Sequence, residues 1–164
     1  MNWLINFKEK NTLTKKENIF FLLIIFIIFL CDRVSKIKII NNLNERAYYI
    51  NDYINFDLIW NTGIGFGLLS YNSSLIYNLI TSLISIVILV LIFFALGSKK
   101  NDKIIFSAII GGALGNLYDR LVYNAVPDFI DLHYNNFHWF TFNVADMFIT
   151  IGIMAYLING IFEN

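Results

Sequence analysis

The chain has 164 residues, of which 57% are hydrophobic, and its formal net charge at pH 7 is zero. This composition places it among integral membrane proteins and gives no surplus of basic residues that would attract nucleic acid. Cys31 is the only cysteine, which excludes an intramolecular disulfide and a cysteine-based metal site.

Four apolar segments follow one another along the chain. They cover residues 19–31 with a continuation to 40, residues 75–96, residues 104–118 and residues 147–162. A spanning helix needs about 20 residues, so the first, third and fourth segments must include their polar ends to cross a bilayer. We therefore predict an all-α membrane protein of four transmembrane helices, with residues 1–18 as a cytoplasmic tail and residues 19–164 as a single domain.

The lysines predict the orientation of these helices. They cluster in the first eighteen residues and again at positions 99–103. In the long loops 41–74 and 121–142, the only lysine or arginine is Arg46. The positive-inside rule then places both termini in the cytoplasm and both long loops outside. Phe29 and Leu30 precede Cys31 where a cleaved leader needs small residues, so we expect the first helix to remain uncleaved.

The first outer loop has a pattern of its own. Residues 48–60 alternate partially between apolar and polar side chains, which predicts strands and a small sheet lying on the membrane. The glycine-rich segment 61–67 is a candidate for a short interfacial helix. In the second outer loop, His133 and His138 show no metal-ligand spacing and Asp131 is interpreted as a solvated acid, like Asp52 and Asp57 of the first loop.

Polar side chains gather at the outer ends of the apolar segments. Ionisable groups are costly inside a bilayer, so several of them at one depth indicate a functional site. The residues are Asp32 and Lys36, Asn61, Asn116 with Asp119 and Arg120, Asp128, and Asn143 with Asp146.

Two of these polar groups and a neighbouring glycine motif have a structural interpretation. Asp32 and Lys36 are four residues apart and share a helix face, which favours an ion pair. Asp119 beside Arg120 is interpreted as a second charge pair, although the planar guanidinium of Arg120 also suits a lipid head group or a peptide carbonyl. The G-x-x-x-G at residues 111–115 predicts close helix packing.

Asp128 and Asp146 are the candidate catalytic pair. Neither has a basic residue adjacent to it in the chain. Two carboxylates that face each other in a poorly solvated place share a proton, so that one can deprotonate a water while the other polarises a carbonyl. This chemistry needs no metal and no cofactor. The alternative interpretation is helix capping, in which Asn143 and Asp146 serve only the start of the fourth helix.

Two further classes of protein remain open at this point. A small transporter or proton channel would use intramembrane acids as a relay, but such acids should be spread across the membrane depth, and the inner halves of the four segments lack them. A scaffold subunit would use its acids only to pair with bases.

Five blocks, read in order, carry a resemblance to a known family. They are DRVSK at 32–36, NTGIGFG at 61–67, GGALGNLYDR at 111–120, VPDFID at 126–131 and FNVAD at 142–146. Over about residues 19–160 the chain resembles lipoprotein signal peptidase, also called signal peptidase II. It departs from the usual family pattern at Pro127, which lacks a backbone N–H, and at Gly65, where alanine is usual.

The resemblance implies an intramembrane aspartic endopeptidase of the bacterial inner membrane with its site at the outer leaflet. It implies a β-sheet cradle on the outer surface, a substrate that is a diacylglyceryl-modified prolipoprotein cut N-terminal to the lipidated cysteine, and inhibition by globomycin. We also expect contact with membrane lipid and a monomeric state. Asp128 and Asp146 occupy the family's catalytic positions, and its supporting positions are Asp32, Lys36, Asn61, Asn116, Asp119, Arg120 and Asn143.

Overall fold

The computed structural model describes residues 15–43, 47–63 and 74–162, and within them the chain forms four helices and four strands. The helices are α1 (Lys15–Asn42), α2 (Ser74–Gly97), α3 (Lys100–Tyr123) and α4 (Val144–Phe162), and the strands are β1 (Tyr48–Asn51), β2 (Ile54–Asn61), β3 (Val126–Tyr134) and β4 (Phe137–Phe142). Helix α1 begins inside the segment that the sequence assigned to the tail. The proposed interfacial helix in residues 61–67 falls largely outside the described residues.

Within the described residues, three helices contain segments long and apolar enough to cross a membrane, namely Asn18–Asn42, Leu75–Gly97 and Val144–Ile161. Their outward faces carry large apolar side chains that nothing in the described chain covers. Leu22 is 63% exposed, Leu89 66% and Ile161 72%. Apolar surface on this scale requires a lipid environment, so these helices belong in a bilayer.

Helix α3 lies at the centre of the bundle and packs against α1, α2 and α4. It has charged residues near both ends, which makes it less apolar than the other three helices. A Cβ at Gly111 would stand 2.9 Å from the carbonyl oxygen of Ile25 in α1, and one at Gly112 would stand 2.6 Å from that of Ala145 in α4. The close packing that the G-x-x-x-G predicted is therefore confirmed, because only glycine lets these backbones approach so closely.

The four strands form one antiparallel sheet in the order β1-β2-β3-β4. Strands β1 and β2 confirm the prediction for residues 48–60. Residues 121–142 hold strands as well, β3 and β4, which the residue pattern of that segment did not predict. These two strands are joined at Asn135, whose φ of 52° is a left-handed conformation that asparagine tolerates in a tight hairpin.

The sheet register brings three chain segments to one edge of the sheet, where the strands begin or end. The end of β2 pairs with the start of β3, so that Asn61 lies opposite Val126 and Ile59 lies opposite Asp128. Phe142, at the end of β4, lies opposite Ile130. Since β4 pairs with β3 only from Ile130 onward, Pro127 lies where β3 has a single strand neighbour, which is where a strand tolerates a missing N–H.

Candidate active site

Asp128 is held at this edge by two amides. Nδ2 of Asn61 donates to its Oδ2 at 2.8 Å, and Nδ2 of Asn143 donates to its Oδ1 at 2.6 Å. Asp128 is only 2% exposed. The carboxyl group is therefore fixed in position by neutral donors and is largely removed from water.

Asp146 lies in the first turn of α4 and forms a reciprocal cap with Asn143. The backbone N–H of Asn143 donates to Oδ2 of Asp146, and the backbone N–H of Asp146 donates to Oδ1 of Asn143, both at 3.1 Å. The second carboxylate oxygen of Asp146 accepts from Nδ2 of Asn116 at 2.8 Å. The capping contacts are thus present, and they leave Nδ2 of Asn143 able to bind Asp128 as well.

The surroundings of Asp128 change its acidity. Burial, followed by the charge of nearby Asp146, raises the pKa of Asp128 from an ordinary 3.8 to about 7, against the opposing effect of the two amide donors. A carboxyl with this pKa carries a proton for a large part of the time at neutral pH. The two acids can therefore exist as one protonated and one ionised group, which is what proton-sharing chemistry requires.

Lys36 connects the carboxylates to the helix bundle. Its Nζ is fully buried and donates to Oδ2 of Asp32 at 2.8 Å, to Oδ1 of Asn116 at 2.8 Å and to Oδ2 of Asp119 at 2.7 Å. The predicted pair of Asp32 with Lys36 is confirmed. The other oxygen of Asp32 accepts from the backbone N–H of Ala145 at 3.0 Å, so α1 helps to hold the start of α4 in place.

The predicted charge pair between Asp119 and Arg120 is wrong. Asp119 accepts instead from Lys36 and from Arg33 of α1, and Arg120 donates to the carbonyl oxygen of Gly63. Successive side chains on a helix point about 100° apart, so neighbours in sequence do not face each other. Arg33 was not among the predicted site residues, although a charge within an apolar helix indicates a functional or structural role by itself.

Arg120 has donor capacity that the described chain does not use. Its Nε and Nη1 are buried and have no hydrogen-bond partner among the described residues. Arg120 lines a cavity of about 320 Å³ that both candidate acids also line. The polar lining is Asn61, Asn116, Arg120, Asp128, Asp146 and Thr150, and the apolar lining includes Ile84, Val126, Ile149 and Ile153.

The nine predicted site residues form one connected network. Asn143 links Asp128 to Asp146, Asn116 links Asp146 to Lys36, and Lys36 reaches Asp32 and Asp119. On the other side, Oδ1 of Asn61 accepts from the N–H of Gly63 at 2.8 Å, and Gly63 in turn binds Arg120. The helical bundle has exposed apolar faces, and Asn143 connects two carboxyl groups by hydrogen bonds beside a cavity. This is the architecture of a membrane-embedded peptidase.

Comparison with known proteins identifies the family. A family model described as "Signal peptidase (SPase) II" matches residues 24–162, and the chain belongs to this family of peptidases. It is 48% identical to the lipoprotein signal peptidase of Pelagibacter ubique over 87% of this chain and 88% of that protein, and 39% identical to that of Dichelobacter nodosus over 87% and 94%. A solved structure described as a bacterial membrane enzyme superposes with a TM-score of 0.72 at 27% identity, covering 86% of this chain and 87% of that one.

Proposed function

We propose that the protein is an intramembrane aspartic endopeptidase and that Asp128 and Asp146 are its catalytic pair. The observation that carries this proposal is Asn143, whose side chain binds one carboxyl group while its backbone binds the other. Helix capping alone would need no second acid at this place. An amide that fixes two acids beside one cavity positions them to act on a single bond.

In the proposed reaction the ionised carboxylate takes a proton from a water molecule, and the resulting hydroxide attacks the scissile carbonyl carbon. The protonated carboxyl group donates a hydrogen bond to the carbonyl oxygen and stabilises the negative charge that develops there. When the tetrahedral intermediate collapses, the leaving nitrogen receives a proton from the pair. The pKa of about 7 for Asp128 supports its role as the protonated partner at the start.

Arg120 and the apolar cavity lining supply the proposed means of holding the peptide. The two unused N–H groups of Arg120 suit a peptide carbonyl, since a guanidinium presents its donors in a fixed plane. Ile84, Val126 and Ile153 provide contacts for apolar side chains near the cleavage site. Fixing the peptide against the acids converts binding energy into orientation of the scissile bond.

The proposed substrate is a prolipoprotein whose cysteine carries a diacylglyceryl group, with cleavage on the N-terminal side of that cysteine. The name of the relatives, lipoprotein signal peptidase, supports this substrate. The exposed apolar faces of the helices would let the acyl chains stay in lipid while the peptide enters the cavity. We further propose that the protein acts as a monomer and that globomycin-type inhibitors occupy the same cavity.

We propose that α3 is a fourth transmembrane helix. Only Ser98 and Lys99 separate it from α2, so it returns in the opposite direction. Its 24 residues extend about 36 Å at 1.5 Å per residue, more than the roughly 30 Å of a hydrocarbon core. Its charged residues Asp119 and Arg120 are covered by protein. Together with the lysine bias, a spanning α3 supports a topology in which both termini are cytoplasmic and the acids lie at the outer leaflet of the bacterial inner membrane.

Cysteine labelling tests this topology. In a Cys31→Ser background, Lys100→Cys and Asn136→Cys provide single thiols at opposite ends of the bundle. A membrane-impermeant maleimide added to intact spheroplasts should label only the cysteine at position 136. Labelling at position 100 instead would reverse the orientation, and labelling at both positions would contradict a spanning α3.

Purified protein tests the substrate. Wild type should cleave a diacylglyceryl-modified prolipoprotein, and the new N-terminus found by mass spectrometry should be the lipidated cysteine. The same protein without the diacylglyceryl group is the matched control and should be cleaved much more slowly. If folded wild type cleaves neither form, the proposed function is wrong.

A further inference from the structure

A second polar cluster lies on the sheet, outside the network of the two acids. Asp131 and His133 are two residues apart on β3 and therefore lie on the same face of the sheet. His138 of β4 is the direct cross-strand partner of His133. One ligand-type atom from each of the three side chains lies within 4.8 Å of the others. The spacing in the sequence gave no sign of this, because only the β3–β4 hairpin brings the residues together.

The three side chains are those that bind zinc-like ions. Oδ2 of Asp131 lies 2.7 Å from Nδ1 of His138 and 3.6 Å from Nδ1 of His133. Ligand atoms about 2.0–2.2 Å from a tetrahedral Zn²⁺ lie roughly 3.3 Å apart, close to the longer of these distances. The shorter one is a hydrogen bond, whose proton an incoming ion would replace.

Two buried atoms of this cluster have no hydrogen-bond partner in the described part of the chain. They are Nδ1 of His133, a residue only 5% exposed, and Oδ1 of Asn55 on β2. Nδ2 of Asn55 lies 3.5 Å from Nε2 of His133. Since the oxygen and nitrogen of an amide can be exchanged without moving its other atoms, Oδ1 can take this place and accept the Nε2–H of His133.

In this orientation of the Asn55 amide, Nε2 of His133 carries the proton. With Nε2 protonated, Nδ1 of His133 turns a lone pair towards the carboxylate oxygen of Asp131, 3.6 Å away. Two electron-rich atoms at this distance, shielded from water, repel each other, and a positive charge between them would remove the repulsion. Histidine ligands of metals commonly donate their other N–H to an oxygen acceptor in this way.

We propose that Asp131, His133 and His138 bind one divalent transition-metal ion of the Zn²⁺ class. His138 has a side chain that is 58% exposed, so a water molecule can reach the remaining coordination position. Asp128 is three residues from Asp131 and by strand alternation points to the other face, so the ion takes no part in peptide cleavage. It ties β4 to β3, the strand that carries Asp128, and stabilises the sheet.

Metal titration of purified protein tests this site. The chain contains only two histidines and one cysteine, so a protein without a histidine tag and with Cys31→Ser has few competing ligands. After chelator treatment, it should bind one Co²⁺ per chain with the visible absorption of a four-coordinate ion, and Zn²⁺ should displace the Co²⁺ and raise Tm. His138→Ala should weaken binding by at least about tenfold, and Asn55→Ala by about 10–100-fold.

Asp57→Asn is the matched control, because Asp57 is an exposed acid on β2 and should leave Co²⁺ affinity unchanged. His133→Gln repeats the test at the buried ligand, while His138→Ala changes an exposed side chain and keeps the fold intact. Folded protein that binds no Co²⁺ would overturn the proposal and leave a proton as the bridging charge. Unchanged affinity in His138→Ala would overturn it as well.

Discussion

Replacing Lys36 by methionine should destabilise the protein strongly. Lys36 is fully buried and its ammonium group donates to Asp32, Asn116 and Asp119 at 2.7–2.8 Å. With Arg33, the cluster holds two positive and two negative charges. Lys36→Met removes one cation and leaves a buried carboxylate without a counter-ion, which costs about 3–5 kcal/mol in the free energy of unfolding.

A double-mutant cycle tests the reason for this loss. Asp32→Asn alone leaves one buried cation in excess and should likewise cost about 3–5 kcal/mol. When Asp32→Asn is combined with Lys36→Met, one charge of each sign is removed and the remaining Arg33–Asp119 pair is balanced. The double variant should therefore lose less than the sum of the single losses, by about 0.5–3 kcal/mol.

Reversible unfolding in mixed detergent micelles measures these free energies. Lys38→Met is the matched control, since Lys38 lies exposed on the same helix and its replacement should change stability by no more than about 0.5 kcal/mol. Losses that add to within about 0.5 kcal/mol would show that the two residues are not coupled. That result would refute the argument from charge balance.

Three further predictions concern the acids and the helix packing. The pKa of Asp128 is raised from 3.8 to about 7, so its protonation favours the folded state. Measured from pH 5 to 9, Tm should therefore fall as pH rises to about 7 and then level off, and initial rates should fall as pH rises through about 7. Asn61→Ala removes a donor to the Asp128 carboxylate and should raise its pKa further, moving the alkaline limb of the pH–rate profile upward. Gly112→Ala should lower Tm, because overpacking costs about 1–3 kcal/mol. Among the described residues, a Cβ at Gly160 meets no atom within 4 Å, so Gly160→Ala should leave Tm unchanged or raise it.

Each of these predictions has a contrary result. A rate that rises steadily from pH 7 to 9 would contradict a protonated Asp128 in the reaction. An alkaline limb that stays in place or moves downward in Asn61→Ala would contradict the hydrogen-bond argument. Equal Tm changes for the two glycine variants would show that α3 and α4 do not pack as closely as the structure describes.

Contacts that depend on the spacing of residues along one helix were predictable from the sequence. Asp32 and Lys36 share a helix face at four-residue spacing, and the glycines of α3 indicated close packing in the same way. The topology also indicated that the polar ends meet at one side of the membrane. In the structure, the hydrogen bonds around Asn143 bring Asp128 and Asp146 together.

Contacts that depend on strand pairing were not predictable by the same means. The interpretation of Asp131 as a solvated acid is wrong, since it is only 4% exposed because β4 covers it. His133 likewise becomes buried only through the hairpin. Asp119 pairs with Arg33, 86 residues away, as well as with Lys36, and helix spacing alone could not identify a contact between two helices. Such contacts follow from tertiary packing, which a single local pattern does not encode.

The most direct test of the central claim is the cleavage rate of a diacylglyceryl-modified prolipoprotein by Asp128→Asn and Asp146→Asn variants. Asp57→Asn is the matched control for an exposed acid, and circular dichroism and gel filtration establish equal folding. We predict that each active-site variant loses at least about a hundredfold in rate, as expected for loss of a general acid or base, while the control retains the wild-type rate. Substantial cleavage by both folded active-site variants would contradict catalysis by this pair.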